Sequence, residues 1–177
     1  MIFTETKLQG AYIITVQKLE DERGFFGRSF SKDEFEAHGL TSTIVQANVS
    51  YNRKRGTVRG LHMQKAPYQE SKLVRCTRGA IYDFIVDMRP QSATYKQWTG
   101  AELTADNCQM LFVPEGFAHG YLTLEDDSEI IYQVTQFYTA GAEVGFRWND
   151  PAFNIVLPFE PNIISDRDKN HPLLGAA

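Results

Sequence analysis

The sequence predicts an all-β protein, closed into a barrel or built as two packed sheets. Three observations carry this. Short runs with apolar residues at alternate positions recur along the whole chain, separated by clusters of turn residues. One run, Ala80–Met88, is largely apolar on both faces, as a central strand must be. A single segment has the boundary signals of a helix, against nine strand candidates, and closing the sheets hides strand edges from solvent.

Taken in order, Ala11–Leu19 opens the series. A short helix follows, with Ser31 as its cap, Glu34 completing a capping box, Phe35 as the apolar anchor and Gly39 as the stop. In the strand Thr43–Ser50, Val45, Ala47 and Val49 make an apolar face, whereas Gln46, Asn48 and Ser50 make a polar face without charge. A solvated face ordinarily carries Lys or Glu. This one is either an outer face that lacks charge or a set of amides and hydroxyls lining a cavity for a polyhydroxylated or nucleotide ligand. The basic turn Arg53-Lys54-Arg55 then leads into Thr57–Gln64, where Gly60, His62 and Gln64 share a side. Gly60 leaves room for a ligand beside the backbone, and Arg59 offers phosphate a rigid fork of donors.

Lys72–Thr77 starts with a lysine that is either exposed or aimed into a cavity. In Ala80–Met88, Tyr82, Phe84, Val86 and Met88 fall on one face; Ile81, Asp83, Ile85 and Asp87 fall on the other. Tyr95–Leu103, Gln109–Val113 and His119–Leu124 follow, and His119 sits between glycines in Gly116-Phe117-Ala118-His119-Gly120. The last candidate, Ser128–Tyr138, aligns Tyr132, Val134, Gln136 and Tyr138, which places two phenols on one side. Near the end, Ile164-Ser165-Asp166-Arg167-Asp168 offers two carboxylates that are either solvated, as is usual before a tail, or buried to orient a histidine.

Composition bounds the function. A chain of 177 residues is one domain long, so residues 1–177 are expected to form a single unit. The net charge of -4 argues against a nucleic-acid binder driven by overall charge. No run approaches the roughly 18 apolar residues of a membrane helix, and the N-terminus shows no apolar segment of a signal peptide. Cys76 and Cys108 are read as reduced core residues, and the protein is expected in the cytoplasm. His38 and His171 are read as surface residues. His62 has Gly60 and Gln64 where a second close ligand belongs on its strand, so no metal site is expected.

The order of segments resembles the dTDP-4-dehydrorhamnose 3,5-epimerase family over nearly the whole chain. The resemblance rests on Asp21-Glu22-Arg23-Gly24-Phe25-Phe26, Gln46-Ala47-Asn48, Gly56-Thr57-Val58-Arg59-Gly60-Leu61-His62 and Lys72-Leu73-Val74-Arg75-Cys76, followed by Pro114 to Gly120, Trp148-Asn149-Asp150-Pro151 and Ser165-Asp166-Arg167-Asp168. Each piece is weak alone, and their order and spacing together are specific. The resemblance implies a cupin-type jelly-roll barrel with a few short peripheral helices, a homodimer, a nucleotide-sugar substrate, and no metal or organic cofactor. It also implies roles. His62 matches the family's base, Asp168 the carboxylate that orients it, Tyr132 the proton donor and Lys72 the cation near the substrate's C4 oxygen. Gln46, Asn48, Arg59, His119 and Glu143 match substrate contacts, Arg23 an arginine reaching the nucleotide from the neighbouring subunit, and Phe26 and Tyr138 ligand-packing positions. Arg28 stands where several family members carry Glu, which puts the contact at that position in question. The other readings are an epimerase acting at C3 or C5 alone or on a CDP- or GDP-linked sugar, a non-catalytic sugar-binding jelly roll, and a metal-dependent cupin oxygenase.

Overall fold

Alternating apolar residues build two antiparallel sheets that face each other across a shared interior. The computed structural model describes residues 1–175, so the last two residues of the expected 1–177 unit lie outside the described residues. The strands are β1 (Ile2–Glu5), β2 (Tyr12–Thr15), β3 (Leu19–Asp21), β4 (Gly24–Phe26), β5 (Gln46–Asn52), β6 (Thr57–Gln64) and β7 (Lys72–Arg78), then β8 (Ala80–Asp87), β9 (Trp98–Thr104), β10 (Gln109–Val113), β11 (Phe117–Thr123), β12 (Ser128–Val134), β13 (Glu143–Gly145) and β14 (Ile163–Ile164). Two short helices, α1 (Lys32–Ala37) and α2 (Asp166–Lys169), complete the set. The first sheet runs β1-β2-β10-β7-β12-β5 and the second β13-β6-β11-β8-β9, with β14 parallel to β6. β3 and β4 form a separate hairpin.

Three apolar layers explain the strand patterns. Between the sheets, Val74, Leu111 and Ile130 of the first meet Ile81, Ile85, Leu103 and Phe117 of the second. Fully burying a side chain of this size stabilises by about 1.5–3 kcal/mol. On the outside of the first sheet, Phe35 of α1 covers Ile14, Met110 and Phe112. On the outside of the second, Phe84 and Val86 lie under Phe146, Trp148 and Phe153. β8 is therefore apolar on both faces because both are covered. Cys76 and Cys108 are free thiols in the interior, and burial pushes Cys76 up to about 11.

Several expected boundaries move. The capping box does not form: the Ser31 hydroxyl donates to Asp33, and Glu34 accepts from the Met1 ammonium and from Arg28. Tertiary partners outcompete the local cap. Gly39 ends the helix as expected, with φ +70°. The last long strand stops at Val134, after which Thr135 bonds Ser71 and the Phe137 carbonyl accepts from Gln64. The first candidate shortens to Tyr12–Thr15, and Leu19 passes into the β3–β4 hairpin. β1, the hairpin, β13, β14 and α2 are too short to leave a periodic signal.

One irregularity positions the site. In the β6–β11 pairing, His62 stands opposite His119 and Arg59 opposite Tyr121, so three steps on β6 match two on β11. The bulge turns Arg59 to the side of His62, correcting the strict alternation that groups Gly60 with His62. Gly60 has φ +111°, and a β-carbon there would lie 2.6 Å from Gly120 Cα and from the His119 carbonyl oxygen. Only glycine fits.

Candidate active site

The sheets enclose a cavity of about 510 Å³ between them, within the range of small-molecule sites. The wall from the first sheet begins with β5, whose Gln46, Asn48 and Ser50 face inward, Gln46 donating to Asn48 over 2.8 Å. Val49 and Tyr51, on the alternate positions, are exposed. The usual rule of apolar inside and polar outside is reversed on this strand because its inner face lines a cavity. Next to β5, β12 places Tyr132 opposite Asn48, and Lys72 at the start of β7 pairs with Val134, one inward position beyond Tyr132. Lys72 forms an ion pair with Glu70, and both side chains are about nine-tenths buried. The second carboxylate oxygen of Glu70 has no hydrogen-bond partner. Burial, with a smaller contribution from Tyr121, raises the Tyr132 phenol above its ordinary value, so it stays protonated.

The opposite wall comes from the second sheet. His62 Nε2 lies 2.8 Å from Oδ1 of Asp168, which is buried on α2. Gly60 N–H donates to the other carboxylate oxygen over 3.3 Å, and the Ser165 hydroxyl caps the helix by accepting from Asp168 N–H. Burial opposes the charge on Asp168, but the pull of the His62 imidazole, together with the Gly60 N–H and Ser165, outweighs it and holds the carboxyl below its ordinary value. An ionised carboxylate only accepts, so Nε2 carries the imidazole hydrogen and Nδ1 is the basic nitrogen. His119 makes a second pair, its Nε2 2.7 Å from Oδ1 of fully buried Asp83, whose carboxyl burial pushes up against the pull of His119 and Lys72. Arg59 Nε donates to Asn52 over 2.8 Å, and Tyr121 exchanges a 2.7 Å hydrogen bond with Ser50.

Nine of the residues singled out from the sequence line this cavity: His62, Lys72, Tyr132, Gln46, Asn48, Arg59, His119, Tyr138 and Glu143. Asp168 stands behind His62. Tyr138 lies beyond the end of β12 and is exposed, and Glu143 is ion-paired with Arg167. Three others lie elsewhere. Arg23 is exposed and paired with Asp21, Phe26 is 72% exposed on the hairpin, and Arg28 reaches Glu34 over 2.9 Å. The sequence reading missed Glu70 and Tyr121. Each stands two residues from a predicted site residue, Lys72 or His119, a separation that puts both on one face of extended chain. His171 is not the surface residue expected: its side chain is 15% exposed, and its Nε2 lies 3.7 Å from Asp168 Oδ1. His62, Asp168 and His171 are a group of metal-ligand types within one small volume.

Comparisons with known proteins place the chain in a family. The family model for dTDP-4-dehydrorhamnose 3,5-epimerase matches residues 5–176. A dTDP-4-dehydrorhamnose 3,5-epimerase of Sinorhizobium fredii is 41% identical over 175 residues, covering 98% of this chain and 90% of its own. Among solved structures, the dTDP-4-dehydrorhamnose 3,5-epimerase of Bacillus anthracis, with TDP and PPi bound, superposes with a TM-score of 0.94 at 44% identity, covering 98% of this chain and 99% of its own. The dTDP-6-deoxy-D-glucose-3,5-epimerase of Legionella pneumophila, in complex with dTDP-4-keto-L-rhamnose, gives 0.89 at 33%, covering 95% and 89%. With matched sequence over nearly all of its length and the all-β jelly-roll architecture in common, the chain belongs to the dTDP-4-dehydrorhamnose 3,5-epimerase family.

Proposed function

We propose that this protein inverts C3 and C5 of dTDP-4-keto-6-deoxyglucose, giving dTDP-4-keto-L-rhamnose, by proton transfer through an enolate. One observation carries the reading: an imidazole and a phenol project into one cavity from different sheets, with an ammonium beside the phenol. Inversion next to a ketone requires a base on one face of the ring, an acid on the other, and a positive charge for the enolate oxygen. Neutral His62, its Nε2–H donated to Asp168, takes the proton from carbon at Nδ1. Lys72 stabilises the negative charge developing on the C4 oxygen, and Tyr132 returns a proton to the opposite face. The same groups serve both carbons because the C4 ketone acidifies both of its neighbours. Gln46, Asn48 and His119 supply hydrogen bonds to the sugar, and Arg59 supplies a fork for the diphosphate.

The test is turnover of dTDP-4-keto-6-deoxyglucose in heavy water, followed at each carbon by NMR. Deuterium is expected at C3 and C5. Label at one carbon alone would assign a single inversion, and no label would end the reading. In the same assay Tyr132→Phe is expected to spare proton abstraction more than inversion; equal loss of both would leave Tyr132 a packing role only.

The reading includes a homodimer in which Arg23 and Phe26, exposed on the β3–β4 hairpin, complete the nucleotide end of the partner subunit's cavity. Gel filtration is expected to give a dimer, and Arg23→Ala to raise KM for the nucleotide sugar more than it lowers kcat. A fully active monomer would remove that role. Among the described residues no helix is long and apolar enough to cross a membrane, which suits an enzyme of soluble nucleotide sugars in the cytoplasm.

A further inference from the structure

We propose that His62, Asp168 and His171 form a chelating site for a divalent transition metal of the zinc type, whose occupancy switches His62 off as a base. The starting observation is His171, which the proton transfer does not use. Its Nε2 is buried without a hydrogen-bond partner and points at Asp168 Oδ1 from 3.7 Å, too far for a hydrogen bond. Its ring sits against Gly145, where any β-carbon would collide with the imidazole. A buried nitrogen lacking a partner costs free energy, and a metal ion satisfies it.

The geometry suits that ligand. One donor atom from each of the three residues lies within 4.8 Å of the others. Tetrahedral zinc with bonds of about 2.0–2.1 Å holds its ligand atoms about 3.3 Å apart. The distances of 2.8 Å from His62 and 3.7 Å from His171 to the shared Asp168 oxygen fall on either side of that value. Small side-chain shifts close the site. Two imidazoles and a carboxylate are a zinc ligand set, and imidazole also suits copper and nickel.

The consequence follows from imidazole chemistry and rests on the assignment of His62 as the base. A metal on Nε2 takes the lone pair that becomes available when the hydrogen leaves that nitrogen. The neutral ring then carries its single N–H on Nδ1, with no net gain or loss of protons. Nδ1 no longer has a lone pair for the substrate's C–H. The ion binds on the Asp168 side of the imidazole, behind the sugar, so kcat falls while KM changes little.

Co²⁺ titration of the metal-free protein tests the site, because cobalt in a nitrogen and oxygen site absorbs visible light and Zn²⁺ should displace it. We expect the absorption in the unmodified protein and at least a tenfold weaker affinity in His171→Asn and His171→Gln. Without any substitution, Zn²⁺ is expected to shift the NMR resonances of the His62 and His171 rings and leave His38 and His119 in place. Zn²⁺ should lower kcat at least tenfold, EDTA should restore it, and each His171 variant, measured against its own metal-free rate, should resist the metal. Absence of the cobalt signal, a shift at His119 instead, or equal inhibition of the variants would overturn the site. Metal held through His171 with kcat unchanged would instead overturn the assignment of His62 as the base.

Discussion

Replacing His62 with alanine is expected to abolish exchange of the C3 and C5 hydrogens with heavy water and to lower kcat by roughly 10²–10⁴-fold, the range for a well-placed general base. That loss corresponds to about 3–5 kcal/mol of barrier. The His62 imidazole is held on its far side by the Asp168 carboxylate, which fixes the tautomer without filling the ring face. The fold should tolerate the change. The His62 side chain is 31% exposed, and Asp168 keeps its bond from Gly60 N–H. The check is deuterium incorporation by NMR beside a thermal melt of the same sample. A folded His62→Ala protein that still exchanges both hydrogens would take His62 out of the reaction.

Lys72→Met is expected to cost about 10²–10³-fold in kcat, as the loss of one donor to a developing oxyanion does. The single substitution does two things, because it also leaves the Glu70 carboxylate without its cation in a site where nine-tenths of that side chain is buried. An unpaired buried charge typically destabilises by about 3–5 kcal/mol. The double variant Lys72→Met with Glu70→Gln separates the effects. Removing the stranded charge should recover the melting temperature, while kcat stays low because no cation faces the enolate. Recovery of near-normal turnover in the double variant would show that Lys72 serves only to neutralise Glu70.

These expectations differ in how far the sequence alone supports them. The uncharged face of Gln46, Asn48 and Ser50 is legible from alternation, which groups the three side chains, while their inward direction comes from the structure. Tyr132 and Tyr138 on one side of a single run are legible for the same reason, even though β12 ends before Tyr138. The pairing of the two histidines is not. His62 and Asp168 are 106 residues apart, and His119 and Asp83 are 36 apart, so alternation gives no reason for either imidazole to choose its own carboxylate. The motif resemblance supplied that choice for His62; periodicity did not.

By itself, the sequence determined the all-β class, the places of the long strands, and the grouping of Gln46, Asn48 and Ser50 on one uncharged face. Period-two geometry is a local property, and two or three turns of the pattern suffice to state it. The tertiary structure decided the rest. The bulge at Gly60 depends on the close approach of Gly120 on the neighbouring strand, and it carries Arg59 to the side of His62. The replacement of the expected capping box at Ser31 depends on Met1 and Arg28 reaching Glu34. His171 left the surface because α2 folds back onto β6 and Gly145 leaves space for its ring. In each case the deciding partner is distant in the chain, and only packing brings it within reach.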